Sequence, residues 1–154
     1  MEKLTVNTEF LFYADLSLDM PQNVGNGPHG NRQIIRVVSG KVEGPKINGT
    51  TLPMSGDWML IRPDGVAELD IRTTIKTNDE QLIYMHYRGL MHAKPERMQE
   101  TFQGKPIAPP DLYFCPAAFF ETAAEKYGWL NRTVAIGTAR IAMPRFELFL
   151  YSVV

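Results

Sequence analysis

Residues 66–76 alternate strictly between polar and apolar side chains, and this pattern constrains the fold more than any other feature of the chain. A period of two predicts a β-strand with two chemically different faces. The apolar face carries Ala67, Leu69, Ile71, Thr73 and Ile75, and the polar face carries Glu68, Asp70, Arg72, Thr74 and Lys76. If the polar face meets water, the strand is ordinary. If it lines a cavity, Asp70 and Arg72 are an acid and a cation held side by side in a pocket.

The rest of the sequence also has the pattern of a β protein, because apolar runs of strand length are separated by turn-forming residues. Strands are predicted over residues 4–16, 32–42, 58–62, 66–77, 81–91, 133–142 and 145–153. Asn48-Gly49 and Asp64-Gly65 are predicted to form tight hairpin turns. Residues 21–30 are predicted to be irregular, residues 92–110 to form a loop that acts as a lid, and residues 119–129 to form a short helix.

Several strands are apolar on both faces, which indicates that their outer face is also partly covered. Residues 82–90 place Leu82, Tyr84 and Leu90 opposite Ile83, Met85 and Tyr87. A closed antiparallel β-barrel whose outer wall meets a helix, a loop or a second subunit has this property. We therefore expect an all-β fold, an antiparallel β-barrel with one short helix, and a homodimer. A two-sheet sandwich without a cavity fits nearly as well.

Composition limits the classes of partner. The chain has 154 residues, which fits a single domain over residues 1–154. With 16 basic and 17 acidic residues, it has no positive excess to attract nucleic acid. No apolar signal segment begins the sequence and no apolar run approaches the ~20 residues that span a bilayer, so a cytoplasmic protein without membrane association is expected. Cys115 is the only cysteine, which excludes an internal disulfide.

Motifs for cofactor or metal binding are weak, and none is expected to operate. Residues 25–30 match the letters of the dinucleotide fingerprint, but Pro28 interrupts them and β-branched residues follow where a helix should begin. The three histidines, His29, His86 and His92, have no close metal-ligand spacing. His29 and Arg32 are instead candidates for ligand contacts from a loop at a barrel mouth.

Asp57 and Trp58 follow a turn of small residues and begin a predicted strand. Trp58 is interpreted as a core anchor or as a wall of a ligand site. Asp57 is interpreted as a turn cap or as an acid or base at a barrel mouth.

An ordered series of short motifs resembles the domain of unknown function 3237 family over nearly the whole chain. The motifs are Gly27-Pro28-x-Gly30-x-Arg32, Gly40-x-Val42-x-Gly44-Pro45, Gly49, Pro53-x-Ser55-Gly56-Asp57-Trp58, Asp64-Gly65, Leu69-Asp70-Ile71-Arg72, Tyr87-x-Gly89, Phe120-Glu121-Thr122 and Tyr127-Gly128-Trp129-Leu130-Asn131. The resemblance implies a small barrel, lipocalin-like or allene-oxide-cyclase-like in architecture, that pairs into dimers. It implies no particular reaction. It does favour a pocket-lining role for Asp70 and Arg72, because the shared signature is more polar than a packing core requires.

Two functions of different class are compatible with these residues. One is a cofactor-free lyase, isomerase or cyclase that uses acid–base chemistry on a small, partly apolar, oxygenated substrate. The candidate catalytic residues are Asp57 or Asp70 as the base, Arg72, together with Arg32, as an oxyanion or carboxylate partner, and Tyr87 as the proton donor. The candidate substrate-binding residues are His29, Arg32, Trp58, Tyr84, Glu121, Trp129 and Asn131. The alternative is a carrier in which aromatic residues and methionines bind a ligand without changing it.

Overall fold

The computed structural model describes every residue from Met1 to Val154. It contains ten strands, one short α-helix and one 3-10 helix. In chain order they are β1 (Thr8–Leu18), β2 (Gln22–Gly27), β3 (Gly30–Glu43), β4 (Gly49–Thr51), β5 (Gly56–Ile61), β6 (Ala67–Thr77), β7 (Leu82–Ala93), α1 (Pro95–Thr101), β8 (Leu112–Glu121), the 3-10 helix (Glu125–Arg132), β9 (Ala135–Ala142) and β10 (Arg145–Val153). No helix is both long and apolar enough to cross a membrane.

The sheet closes on itself as an antiparallel barrel of eight strand positions. From β6 the neighbours run through β7, β8, β9 and β10 to β1, and β1 pairs with β3. The short strands β4 and β5 share one position, since both lie between β3 and β6. β2 lies outside the closed circuit as a hairpin partner of β3. The prediction of an antiparallel barrel is confirmed, and the sandwich alternative is wrong.

The barrel interior is filled by the apolar face of each strand. On β7 the inward residues Ile83, Met85 and Tyr87 are at most 3% exposed, whereas Leu82 and Tyr84 face outward. On β10 the inward residues Leu148 and Leu150 are completely buried. These side chains belong to one continuous core of 28 buried hydrophobic residues, so the lumen is largely a packed core.

The two ends of the barrel are covered by different elements. The α1 helix begins at Pro95, which fits the first turn because its missing N–H would have no helical partner there. Met98 of this helix packs against the core. The 3-10 helix covers the opposite end, near the β6–β7 turn, where the Tyr127 hydroxyl donates to Asp79 Oδ1 at 2.7 Å.

Four local predictions were wrong. Residues 21–30 are not irregular, because Gly27 pairs with Gly30 to close a β2–β3 hairpin. Asn48-Gly49 is not a tight turn with positive φ, since Gly49 begins β4 and the Asn48 side chain bonds the Gly44 backbone across a wider loop. Residues 92–110 contain α1, and residues 119–121 end strand β8, so the predicted helix begins later as the 3-10 helix. The fold therefore has two short helices, not one.

Candidate functional site

The polar face of β6 lies on the outside of the barrel. Leu69, Ile71 and Ile75 are at most 6% exposed and point into the lumen. The side chain of Arg72 is 53% exposed and that of Asp70 is 31% exposed. The prediction that this face lines a cavity is therefore wrong. The apolar face of β6 is needed to fill the interior, and strict alternation then sends every polar side chain outward.

On this outer face Asp70 is surrounded by partners from the sheet itself. Its carboxylate lies 2.9 Å from His86 Nε2 on β7 and 3.7 Å from the Arg72 guanidinium. The Arg72 guanidinium also lies over the ring of Trp58, 5.8 Å from its centroid. These contacts form a partly solvated surface cluster and not a ligand cavity.

A cavity that is partly open to solvent lies at the α1 end of the barrel. Its volume, measured as the space that the centre of a water molecule can occupy, is about 90 Å³. One water molecule needs ~10–15 Å³ on the same measure. Fifteen of its 19 lining residues are hydrophobic. They come from strands on all sides of the barrel and from Met98 and Phe102 at the capped end. A concave, mostly apolar space with few polar groups is the usual form of a small-molecule site.

Asp57 is the only carboxylate that lines this cavity. It lies on β5 opposite Ile35 of β3 and Ile71 of β6. Its Oδ1 accepts a hydrogen bond of 3.0 Å from the backbone N–H of Asp70. The regular register would pair Trp58 with Asp70, but no pairing is formed there. The Trp58 carbonyl instead accepts a 2.7 Å hydrogen bond from Arg32. Asp57 shares the inward phase of β5 with Met59, and where the β5–β6 ladder is interrupted its carboxylate binds the Asp70 N–H of the wall.

Burial raises the pKa of Asp57 to about 7. The Asp70 N–H favours the charged form and works against this rise, the negative charge of Asp70 adds to it, and the positive charge of Arg32 lowers it. A carboxyl group with this pKa accepts or donates a proton near neutral pH, which an ordinary surface aspartate does not do.

Tyr87 is the second polar group of the cavity wall. It lies on β7 and is only 3% exposed to solvent. Burial, and secondly the charge of Asp57, raise the pKa of its hydroxyl above the ordinary value, so Tyr87 stays protonated. No hydrogen bond within the protein engages this hydroxyl, although it lines the cavity. Of the eleven residues predicted for the site, the structure brings together only Asp57 and Tyr87 in this cavity.

The other predicted residues lie elsewhere. His29 is exposed in the β2–β3 turn. Trp58 and Tyr84 are each 38% exposed on the outer wall, and Glu121 is exposed at the end of β8 opposite Tyr84. Trp58, Tyr84 and Glu121 occupy the outward phase of their strands, so they do not line the cavity. The predicted ligand contact of His29 at a barrel mouth stays a prediction.

Trp129 and Asn131 belong to the 3-10 helix at the far end of the barrel. The Asn131 side chain accepts from the Thr122 N–H at 2.8 Å and donates to the Thr122 carbonyl at 2.9 Å, so it fastens this helix to the end of β8. Lys46 lies over the Trp129 ring, 5.3 Å from its centroid. The predicted contact of both residues with a ligand in the lumen is not supported by their position.

Several cavity residues were missed in the sequence. Gln33 lines the cavity on the same face of β3 as Ile35 and Val37, so a polar residue in an apolar phase was the available signal. Thr101 and Phe102 also line the cavity. They lie in the segment predicted as a lid, but no residue of that segment was predicted to contact a ligand. Four methionines also line the cavity: Met59, Met91, Met98 and Met143.

No group of three or more histidine, cysteine, aspartate or glutamate side chains is gathered in a way that could hold an ion. The predicted homodimer and the absence of nucleic-acid partners stay predictions.

Known proteins share both the sequence pattern and the barrel. The model of a family described as "Protein of unknown function (DUF3237)" matches residues 6–153. A protein from Clostridium acetobutylicum, named only as a member of the uncharacterised family UPF0311, is 34% identical over 132 residues, which cover 85% of this chain and 84% of that protein.

Solved structures agree with this relationship. A conserved protein of unknown function from Rhodopseudomonas palustris is 27% identical and has a TM-score of 0.91, with 99% of this chain and 100% of that chain covered. A protein described as an enzyme from Penicillium herquei has the same fold, with a TM-score of 0.76 at 22% identity over 100% of this chain and 98% of that chain. The barrel, the ordered motifs and the match over nearly the full length together show that this chain belongs to the DUF3237 family of proteins of unknown function.

Proposed function

We propose that the barrel binds a small, partly apolar, oxygenated molecule in the cavity beneath α1 and transfers a proton to or from it through Asp57. The observation that carries this proposal is a single carboxyl group with a pKa near 7 in an otherwise apolar cavity. Proton abstraction next to a carbonyl, elimination and ring closure can all be catalysed by such a group acting as a general base or acid. The reaction class is therefore a cofactor-independent lyase, isomerase or cyclase step.

Asp57 and Tyr87 have complementary roles in this proposal. Ionised Asp57 removes a proton, and one of its oxygens is held by the Asp70 N–H, so the carboxylate is fixed in position. Tyr87 keeps its proton and donates a hydrogen bond to the substrate oxygen on which negative charge develops. The apolar wall limits contact with water and so strengthens both interactions.

A structural neighbour described as an enzyme supports catalysis on this fold, although its identity to this chain is too low to carry over any activity. The alternative is a carrier that uses the same cavity for binding alone. Its support is the lining by four methionines, whose flexible and polarisable side chains adapt to ligands of different shape.

Proton exchange of 2-indanone in D2O tests these two functions. This ketone is neutral, compact and partly apolar, and loss of its α-proton signals in NMR spectra reports enolisation directly. The protein is expected to accelerate exchange above the buffer rate, and the acceleration should rise with pH through a midpoint near 7 as Asp57 loses its proton. Binding without acceleration supports the carrier. If the protein neither binds 2-indanone nor accelerates its exchange, the proposed ligand site in this cavity is contradicted.

A further inference from the structure

The charges around the cavity are distributed unevenly. No lysine, arginine or histidine is among its 19 lining residues, and Asp57 is the only carboxylate. Arg32 is close enough to Asp57 to lower its pKa, but the guanidinium donates to the Trp58 carbonyl at 2.7 Å and does not line the cavity. Arg72 is half-exposed on the outer wall. The two arginines that the sequence pattern assigned to an anionic substrate group are therefore both outside the ligand space.

An anionic ligand would have no counter-ion in this space. Burial of an unpaired carboxylate or phosphate costs several kcal/mol or more. Ionised Asp57 would add repulsion between like charges. Entry of such an anion is opposed both by desolvation and by the one charge that the cavity contains.

The uncharged polar groups indicate what the cavity accepts. The Tyr87 hydroxyl and the Gln33 amide form no side-chain hydrogen bond within the protein, both residues line the cavity, and neither group is among the buried polar atoms sealed from solvent. The hydroxyl and the amide NH2 are hydrogen-bond donors, so a carbonyl or hydroxyl oxygen of a ligand would satisfy them. Thr101 adds little, because its hydroxyl already donates to the Met98 carbonyl at 2.6 Å.

We infer that the cavity selects uncharged, mostly apolar molecules that carry a carbonyl or hydroxyl oxygen, and that it excludes carboxylates and phosphates. The inference rests on the proposed function only in placing the ligand in this cavity, and its test requires no turnover. It assigns to Gln33 a hydrogen bond to the ligand oxygen that no sequence motif indicated.

Acetophenone and benzoate form a matched pair of probes, because they differ by a methyl group in place of a charged oxygen. Binding of each probe to the full-length protein at pH 8 is measured from shifts of the methionine methyl signals in carbon–proton NMR spectra. The four cavity methionines should respond to acetophenone. Benzoate is expected to bind about tenfold more weakly or worse, which corresponds to at least about 1.4 kcal/mol.

The Asp57→Asn variant separates the two reasons for which an anion is excluded, namely desolvation without a counter-ion and repulsion by ionised Asp57. Because this variant still has no cation in the cavity, acetophenone should remain the preferred probe. Equal or tighter binding of benzoate, in the wild-type protein or in the variant, would overturn the inference, and so would failure of acetophenone to shift any of these signals. A preference for acetophenone without exchange of 2-indanone would leave the inference intact and remove only the proposed catalysis.

Discussion

Replacement of Asp57 by asparagine is expected to slow the protein-dependent exchange of 2-indanone by about 100-fold to 10,000-fold, which is the usual contribution of a positioned general base. Asparagine has nearly the same shape as aspartate, and its side-chain oxygen can still accept the hydrogen bond from the Asp70 N–H. The substitution therefore removes the proton acceptor but keeps the hydrogen bond that links β5 to β6. Initial exchange rates at pH 8, at equal bound fractions of ligand, give the comparison.

Two further variants make this result specific to the cavity. Glu68→Gln removes a carboxylate from the outer face of β6, where Glu68 lies 3.7 Å from Arg62, and should leave the exchange rate within about twofold of wild type. Arg72→Ala tests the assignment made from the sequence alone. If a folded Arg72→Ala protein lost as much of the exchange rate as Asp57→Asn, the reaction would have to take place on the outer face of β6 and not in the cavity.

The stability of the protein should fall as pH rises from about 4 to about 7, and the Asp57→Asn variant should lack this part of the fall. Asp57 has its pKa raised from 3.8 to about 7 in the folded protein. In this window the unfolded chain has already released the proton that the folded chain keeps, so a rise in pH favours unfolding. Above pH 7 the folded carboxyl is also ionised and this contribution stays constant. The full difference approaches about 4 kcal/mol, because each tenfold change in proton affinity between the unfolded and folded chains corresponds to about 1.4 kcal/mol.

Urea unfolding of both proteins at pH 4, 5.5 and 8 measures this difference. The free energy of unfolding of Asp57→Asn relative to wild type should increase across the series. Asp64→Asn is the matched control, because Arg62 holds the pKa of the exposed Asp64 carboxyl below its ordinary value and its removal cannot give a gain that grows with pH. A constant difference between wild type and Asp57→Asn across the series would show that Asp57 is not buried in the way the structure describes.

The strands of the barrel could be predicted from local patterns, whereas the direction of their faces could not. Alternation in β6 identifies two faces, but it does not say which one the closed sheet encloses. The decisive fact is long-range: the interior needs Leu69 and Ile71 as packing, and the polar residues are left outside. A polar family signature favoured the opposite choice because it does not distinguish residues of a ligand site from residues of a solvated outer wall.

Asp57 and Tyr87 were identified for different reasons from those that place them in the cavity. Asp57 was expected at a strand start after a turn of small residues, and the structure adds that it shares the inward phase of β5 with Met59 and accepts the Asp70 N–H. Tyr87 lies in the inward phase of β7, which alternation alone predicts. Gln33 could have been found in the same way, from its apolar phase on β3, whereas α1 was hidden by the prolines around it.

A pH titration of the Asp57 side-chain carboxyl carbon by NMR, with and without 2-indanone, is the sharpest test of Asp57 as the proton-transfer group of the cavity. Selective assignment follows from the loss of this signal in Asp57→Asn. We expect a midpoint near 7 in the free protein and a change in the signal when the ketone binds. A midpoint near the ordinary 3.8, together with a signal that does not respond to the ketone, would contradict this role.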